Sequence, residues 1–377
     1  GRLHKLPFKI TVSESGISIT KSFLPETSHL EQVRLISING VPTKDIVHRL
    51  TQLIPSDGYN VTGKYHQLSA EFVFYYSLVY GLKERVKLDY IPHNGEKVLS
   101  ADVDLISKEK WNELQIELTP HENDFQFSTL DGIGILKVGT FNGAENFTRF
   151  IDESFQKLSE ENVGQLIIDL RNNGGGEETN AIHLYSYLAA KDFKYYDRYE
   201  VKTPKKTLQK QGESLVAYET ANALREVSTL DDHGRQVISK IEGIRGKLID
   251  PNEWQKATTT NRFEGAVVVL IDGGSFSATS EVCAIMARDK RVTFFGEETG
   301  GGLDGNTSGL YDQIILPNTR ITVKIPLIKY VSATGDIHHN FGRGILPDFS
   351  PSLSTMAEGK VEDTFMKNAL NYLRLQR

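Results

Sequence analysis

Short runs that alternate apolar and polar residues fill the first part of the chain, the period of strands with one buried face. Lys9-Ile10-Thr11-Val12, Ile17-Ser18-Ile19 and Val33 to Ile38 read this way, and Asn39-Gly40 marks a turn after the third. Thr43 is placed to cap a helix in which Ile46, Leu50 and Leu53 share one face, and Phe72 to Leu82 predicts a buried helix. Val86 to Ile91 alternates again, turns at Asn94-Gly95 and pairs with Val98 to Leu105. Together these predict a β-rich module over residues 1–124.

From residue 125 the pattern changes. Gly134 to Val138 is a strand, and Gly143 to Leu158 an amphipathic helix with Phe147, Phe150, Ile151, Phe155 and Leu158 on its apolar side. Gln165 to Leu170 is almost continuously apolar, as in a parallel strand buried on both faces. Gly174-Gly175-Gly176 breaks it, and Asn180 to Ala189 has a helical pattern. The unit recurs as Ala266 to Ile271, the break Gly273-Gly274, and a helix from Ala278 to Arg288. Repetition of strand, glycine turn and helix predicts a βα sheet with right-handed crossovers, and with the first module an α+β protein. Residues 191–263, between the two units, are polar with their own periodicity, including helical patches at Ser214 to Val227 and His233 to Ile249; they are expected to form a cap inserted in the core 125–377.

Charge and composition narrow the function. The 43 Lys and Arg against 49 Asp and Glu give a net charge of −6, which argues against a nucleic-acid partner or anionic lipid. A single cysteine, Cys283, excludes an intrachain disulfide and a multi-cysteine metal site, and its place on the helix Ala278–Arg288 makes it a core residue. No His-Glu-x-x-His occurs, so neither metal nor cofactor is implied. The longest apolar stretch, Phe72 to Leu82, is too short to span a bilayer. The start, Gly1-Arg2-Leu3-His4, lacks Met and a signal pattern, and reads as a fragment of a longer precursor.

The chemistry concentrates at the second glycine turn, Asp272-Gly273-Gly274-Ser275-Phe276-Ser277-Ala278-Thr279-Ser280-Glu281. A serine where a strand turns sharply into a helix has its Oγ held at the carboxyl edge of the sheet, with helix N-terminal amides beside it to stabilise an oxyanion. Of Ser275, Ser277 and Ser280, Ser277 is best placed, as the last residue before the helix; a simple N-cap role is the alternative. The glycines after Asp169-Leu170-Arg171-Asn172-Asn173 allow positive φ and close backbone approach, so the N–H groups of Gly174 or Gly175 can supply the other half of an oxyanion hole. A phosphate cradle is the other use of such a loop, but no Gly-Lys-Ser/Thr follows. Asp169 and Arg171 are expected to fix the turn by charge-assisted bonds.

These motifs carry a resemblance. "LIIDLRNNGGG", "VVVLIDGGSFSATSEVCAIM", "FFGEETGGG" and "GRGILPDFSPS" occur in the order found in the tail-specific, or C-terminal-processing, serine peptidase family, whose broader membership includes tricorn-like proteases and retinoid-binding proteins. The first module, with "ISINGVPTKDIVHRL", resembles a PDZ domain, which fits that family's layout. The resemblance implies a PDZ-like module followed by a crotonase- or ClpP-like βα core. In the Ser–Lys branch a Lys lies in "GExTxGKG" about 25 positions after the nucleophile; here that slot holds Gly302, and counting back lands on Ser277.

A serine hydroxyl needs a base. The resemblance to the branch without Lys implies a His from upstream of the core, expected here in sequence ahead of Gly1. Within the chain, His66, His93 and His121 are expected in loops or edges, His183 follows the glycine turn, and His339 holds the slot where tricorn-like members place a supporting Glu. Glu297 and Glu298, in the motif loop, are candidates to orient a base or bind a substrate amine. The expected function is therefore peptide-bond hydrolysis of extracytoplasmic proteins or peptides, with Ser277 as nucleophile, Ala278 and Gly174 or Gly175 as the oxyanion hole, and Glu298 and His339 as supporting residues. A family member that has lost catalysis and binds peptides or apolar ligands is the alternative.

Overall fold

A computed structural model describes residues 4–376 apart from 82–83, 94, 119–123, 308–310, 327, 336–341 and 351–362; within 202–251 it describes only four strands, at 209–210, 215–216, 225–230 and 236–242. The first module is an antiparallel sheet, β1 (Phe8–Ser13), β2 (Gly16–Ser22), β3 (Val33–Ile38), β4 (Arg85–Ile91) and β5 (Leu99–Asp104), in that spatial order, with Val41–Pro42 also paired to β3. Alternation along these strands sends Ile17, Ile19, Leu35 and Leu88 inward, where they meet Ile46 and Leu50 of α1 (Thr43–Thr51) and Leu68 and Phe72 of α2 (Thr62–Tyr80).

Two expectations shift here. Thr43 is not the cap: Pro42 holds the N-cap position, and the Thr43 hydroxyl donates to the Leu35 carbonyl, while Leu53 lies beyond the helix and is exposed. α2 begins ten residues before the predicted Phe72, because Asn60 Oδ1 accepts from Gly63 N at 2.8 Å and starts a turn that runs to a kink at Glu71. A further helix, α3 (Lys108–Leu118), links the modules.

The core is a five-stranded sheet. β6 (Phe125–Leu130) pairs antiparallel with β7 (Ile133–Val138); β7, β8 (Gln165–Asp169), β12 (Ala266–Ile271) and β13 (Thr293–Gly296) are parallel, giving the order β13-β12-β8-β7-β6. β8 is buried along its whole length because both faces are covered. Leu166, Ile168, Val267 and Val269 face α4 (Ala144–Glu160), α5 (Glu178–Ser186) and α6 (Ala278–Arg288), and Cys283 is buried among them. Ile167, Val268 and Leu270 face the other way, onto Ala369, Leu370 and Leu373 of α7 (Thr364–Arg374).

The insertion contributes strands where helices were expected. β9 (Tyr196–Val201), β10 (Arg225–Leu230), β11 (Gln236–Glu242), β14 (Gly305–Asn306) and β15 (Ile328–Ser332) form an antiparallel sheet of order β10-β11-β9-β15-β14. Arg225 to Val227, in the first predicted helical patch, and Gln236 to Glu242, in the second, form the strands of a hairpin instead. Val227, Val237, Ile238 and Ile241 are β-branched, and a cross-strand partner decides in favour of their strand preference. Among the described residues no helix is long and apolar enough to cross a membrane.

Candidate active site

The two glycine turns meet at the carboxyl end of the parallel strands. Asp272, just after β12, accepts from the amides of Asn172 and Gly274, each at 2.9 Å. Ser275 is fully buried and donates to the Leu170 carbonyl at 2.9 Å, and Ser280 donates to the Ser275 carbonyl at 2.9 Å. Two of the three serines are thus spent in fixing the turn to the end of β8.

Ser277 is different. Its φ of 53° and ψ of −128° place it in a region that L-residues rarely adopt, a strain that costs on the order of 1–3 kcal/mol and persists only where the surroundings enforce it. It occupies the N-cap position of α6, yet its side chain accepts no helix amide, so the capping role is not what this hydroxyl performs. The residue is half-buried, and no hydrogen bond to its Oγ occurs among the described residues.

The first glycine turn abuts this corner. A Cβ added at Gly175, whose φ is +102°, would lie 2.7 Å from Ser277 Cβ and 3.0 Å from Ala278 N. The Gly175 amide itself is engaged, donating to Asn173 Oδ1 at 2.9 Å in a buried bond. Gly175 therefore shapes the space in front of Ser277 without a free donor. Gly174 is exposed, and neither its amide nor that of Ala278 has a protein partner among the described residues.

The N-terminus of α2 closes the third side. Asn60 Nδ2 donates to the Thr299 carbonyl at 2.8 Å, and the Thr62 hydroxyl to the Glu298 carbonyl at 2.7 Å. Backbones come so close that a Cβ at Gly273 would lie 2.2 Å from Thr62 O, and one at Gly300 2.3 Å from Gly273 O. One turn into α2, half-buried His66 lies against the Gly273–Ser277 turn: a Cβ at Gly274 would be 2.5 Å from its Cε1 and 2.9 Å from its Nδ1. His66 is thus on a helix rather than in a loop or edge. The signal that locates it is Asn60-Val61-Thr62, a helix start of the kind that polar side chains favour.

The remaining candidates separate. Glu298 is a strut: burial raises its carboxyl, but bidentate bonds from Arg343 at 2.8 and 2.6 Å and one from Gly344 N at 2.7 Å outweigh this and hold it below the usual carboxylate range. Glu297 is raised by burial and by the neighbouring Asp272. Gly302, in the slot where a lysine would stand, donates its amide to Asp57 at 3.3 Å. His183 contacts Asp152 at 2.7 Å, between α5 and α4, and His339 lies outside the described residues. Arg171 binds Asp169 at 2.6 Å and reaches Asp363 at 2.6 Å, so the charged pair that fixes the turn also anchors the start of α7.

Comparison with known proteins gives a consistent picture. The sequence model of peptidase family S41 matches residues 132–350, which hold both glycine turns and Ser277. No curated protein sequence matches the chain. A mutant of CPAF shares 14% identity at a TM-score of 0.62, covering 99% of this chain and 82% of its own. Mature CPAF shares 15% at a TM-score of 0.58, covering 92% and 77%. The photosystem II D1 C-terminal processing protease shares 14% at a TM-score of 0.39, covering 93% and 73%. The two CPAF structures establish the likeness, which at this identity is one of fold: a PDZ-like module joined to a ClpP- or crotonase-like core.

Proposed function

The chain belongs to peptidase family S41, and on that premise we propose that it hydrolyses peptide bonds with Ser277 as nucleophile and His66 as general base. The observation that carries this reading is the strained, uncapped Ser277 at the start of α6, with His66 against the same turn and the Ala278 amide without a partner among the described residues. In the reaction, Ser277 Oγ attacks the scissile carbonyl carbon as His66 takes its proton. The carbonyl oxygen becomes an oxyanion, held by the Ala278 and Gly174 amides at the positive end of α6. His66 then gives the proton to the leaving amine as the C–N bond breaks. Water, deprotonated by the same imidazole, releases the acyl group and restores Ser277. Gly302 in the lysine slot leaves this work to the histidine.

A fluorophosphonate probe tests the reading. It labels Ser277, Ser277→Ala abolishes the label, and His66→Ala slows labelling and peptide turnover by roughly 10²-fold or more. Wild-type protein that stays unlabelled and cleaves no peptide would overturn hydrolysis in favour of a binding role for this fold. Equal activity in wild type and His66→Ala would overturn the base assignment.

A further inference from the structure

One buried acid behind the nucleophile takes no part in the steps above. Glu281 lies four residues after Ser277, and its amide donates to the Ser277 carbonyl at 3.0 Å. Its side chain is 3% exposed, with no cation against it among the described residues. Three donors converge on its carboxyl. Tyr196 Oη donates to Oε2 at 2.7 Å, Tyr195 Oη to the same oxygen at 3.4 Å, and Asn306 Nδ2 to Oε1. The Tyr195 hydroxyl shares its one proton with the Ala278 carbonyl at 3.2 Å, so it touches both ends of the first turn of α6.

We propose that the Glu281 carboxylate is a positioning residue: in its ionised form it locks the first turn of α6 to the insertion strand β9 and to β14, and so holds Ser277 and the Ala278 amide in their reactive places. This rests on the hydrolase reading of the same site. The donor set fits an anion, since the Tyr196 hydroxyl and the Asn306 amide point hydrogens at the two carboxyl oxygens, and Tyr195 shares its one proton between Oε2 and the Ala278 carbonyl. A proton on the carboxyl competes with the Tyr196 hydroxyl for Oε2 or with the Asn306 amide for Oε1, and so weakens the tie made at that oxygen. Among the described residues, the titratable groups facing Glu281 are Tyr195 and Tyr196 from the insertion and Glu178 from α5, Asn306 is neutral, and no cation keeps the acid charged. Burial, helped by Glu178, raises it to about 7 against the bonds from Tyr196, Asn306 and Tyr195. Its protonation therefore falls in the range where an enzyme is assayed.

The test is the acid limb of the pH profile of kcat/KM for the whole chain on a quenched fluorogenic peptide. Glu281 must lose its proton before the site is in order, so it adds about one to the limiting slope of log kcat/KM at low pH. In Glu281→Gln the limiting slope falls by about one, and kcat falls about tenfold while KM stays within about twofold. A purely structural acid would not change the number of protons in that limb. Tyr196→Phe keeps the packing and removes one donor to the anion, so it moves the Glu281 step to higher pH. The proposal fails if Glu281→Gln keeps the limiting slope of the wild type, or if both variants reproduce the wild-type profile. A wild type with no label at Ser277 is the distinct result that brings down the hydrolase reading and this one with it.

Discussion

Replacing Gly175 with alanine puts one methyl group where the two turns meet. The added carbon would stand 2.7 Å from Ser277 Cβ, 2.9 Å from Phe276 O and 3.0 Å from Ala278 N, whereas ordinary contact begins near 3.4 Å. Something must move by more than half an ångström, and the neighbours are backbone or the nucleophile's own Cβ, none of them a flexible tip. The φ of +102° adds strain on the order of 1–3 kcal/mol for any residue with a Cβ. Displacing the nucleophile by about 1 Å costs on the order of 10²-fold. Screening the Ala278 donor costs roughly 10²–10³ more by the usual worth of one oxyanion contact. Gly164→Ala is the internal control, since a Cβ there meets nothing within 4 Å, its φ is not positive and it lies away from the two turns. Expected outcomes are a loss of at least about 10²-fold in kcat/KM for Gly175→Ala, and a change within about threefold for Gly164→Ala. Peptide turnover and the rate of fluorophosphonate labelling measure this, with thermal melts to show that the variants are folded. Gly175→Ala at near wild-type rate, or Gly164→Ala as damaged as Gly175→Ala, would refute the placement of the two turns.

Three further outcomes follow from the charged groups. Glu281 is raised from 4.5 to about 7, so the folded chain binds its proton more readily than the unfolded one between those values. Its contribution to stability thus declines as pH rises through that window. Urea unfolding should find Glu281→Gln gaining on the wild type by up to about 3 kcal/mol between about pH 4.5 and pH 8. A constant difference across that range would deny that the acid titrates there. Asp363→Ala removes both a partner of Arg171 and the side chain that accepts from Met366 N at 3.0 Å to cap α7. Because Asp363 is part-exposed, the expected loss is only about 1–2 kcal/mol, seen as a lower urea midpoint. Glu298→Ala leaves the buried Gly344 amide without its acceptor and frees Arg343, for a loss of about 2–3 kcal/mol in the same assay.

The sequence reads most clearly where the local pattern and the tertiary environment demand the same thing. Gln165–Asp169, Ala266–Ile271 and the helix Ala278–Arg288 are apolar enough, and bounded sharply enough by glycines, to be legible without a partner. Ser277 is legible for the same reason, since strand, glycine pair and helix define a corner. The insertion is not: Gln236 to Glu242 carries charged and polar residues at helical spacing, and the pairing with Arg225–Leu230 that makes it a strand is a non-local fact. His66 is illegible for a related reason. It lies 211 positions before Ser277 in a polar stretch, and only the docking of Asn60 and Thr62 onto the carbonyls of Thr299 and Glu298 brings it to the corner.

That docking also changes what the PDZ-like module is for. Its helix α2 has one end in the module's own core, through Leu68, Phe72, Val73 and Tyr76, and the other end in the nucleophile's turn. The seam at Gly63, Gly273 and Gly300 is backbone against backbone, so it tolerates no side chain: a Cβ at Gly273 would lie 2.2 Å from Thr62 O. A seam this tight transmits displacement rather than absorbing it. Any ligand that tilts α2 within its own sheet therefore carries His66 and the Gly273–Ser277 turn together. Under the proposed hydrolysis this seam fixes His66 against the turn that carries Ser277, so the module holds that geometry whether or not it also binds a peptide.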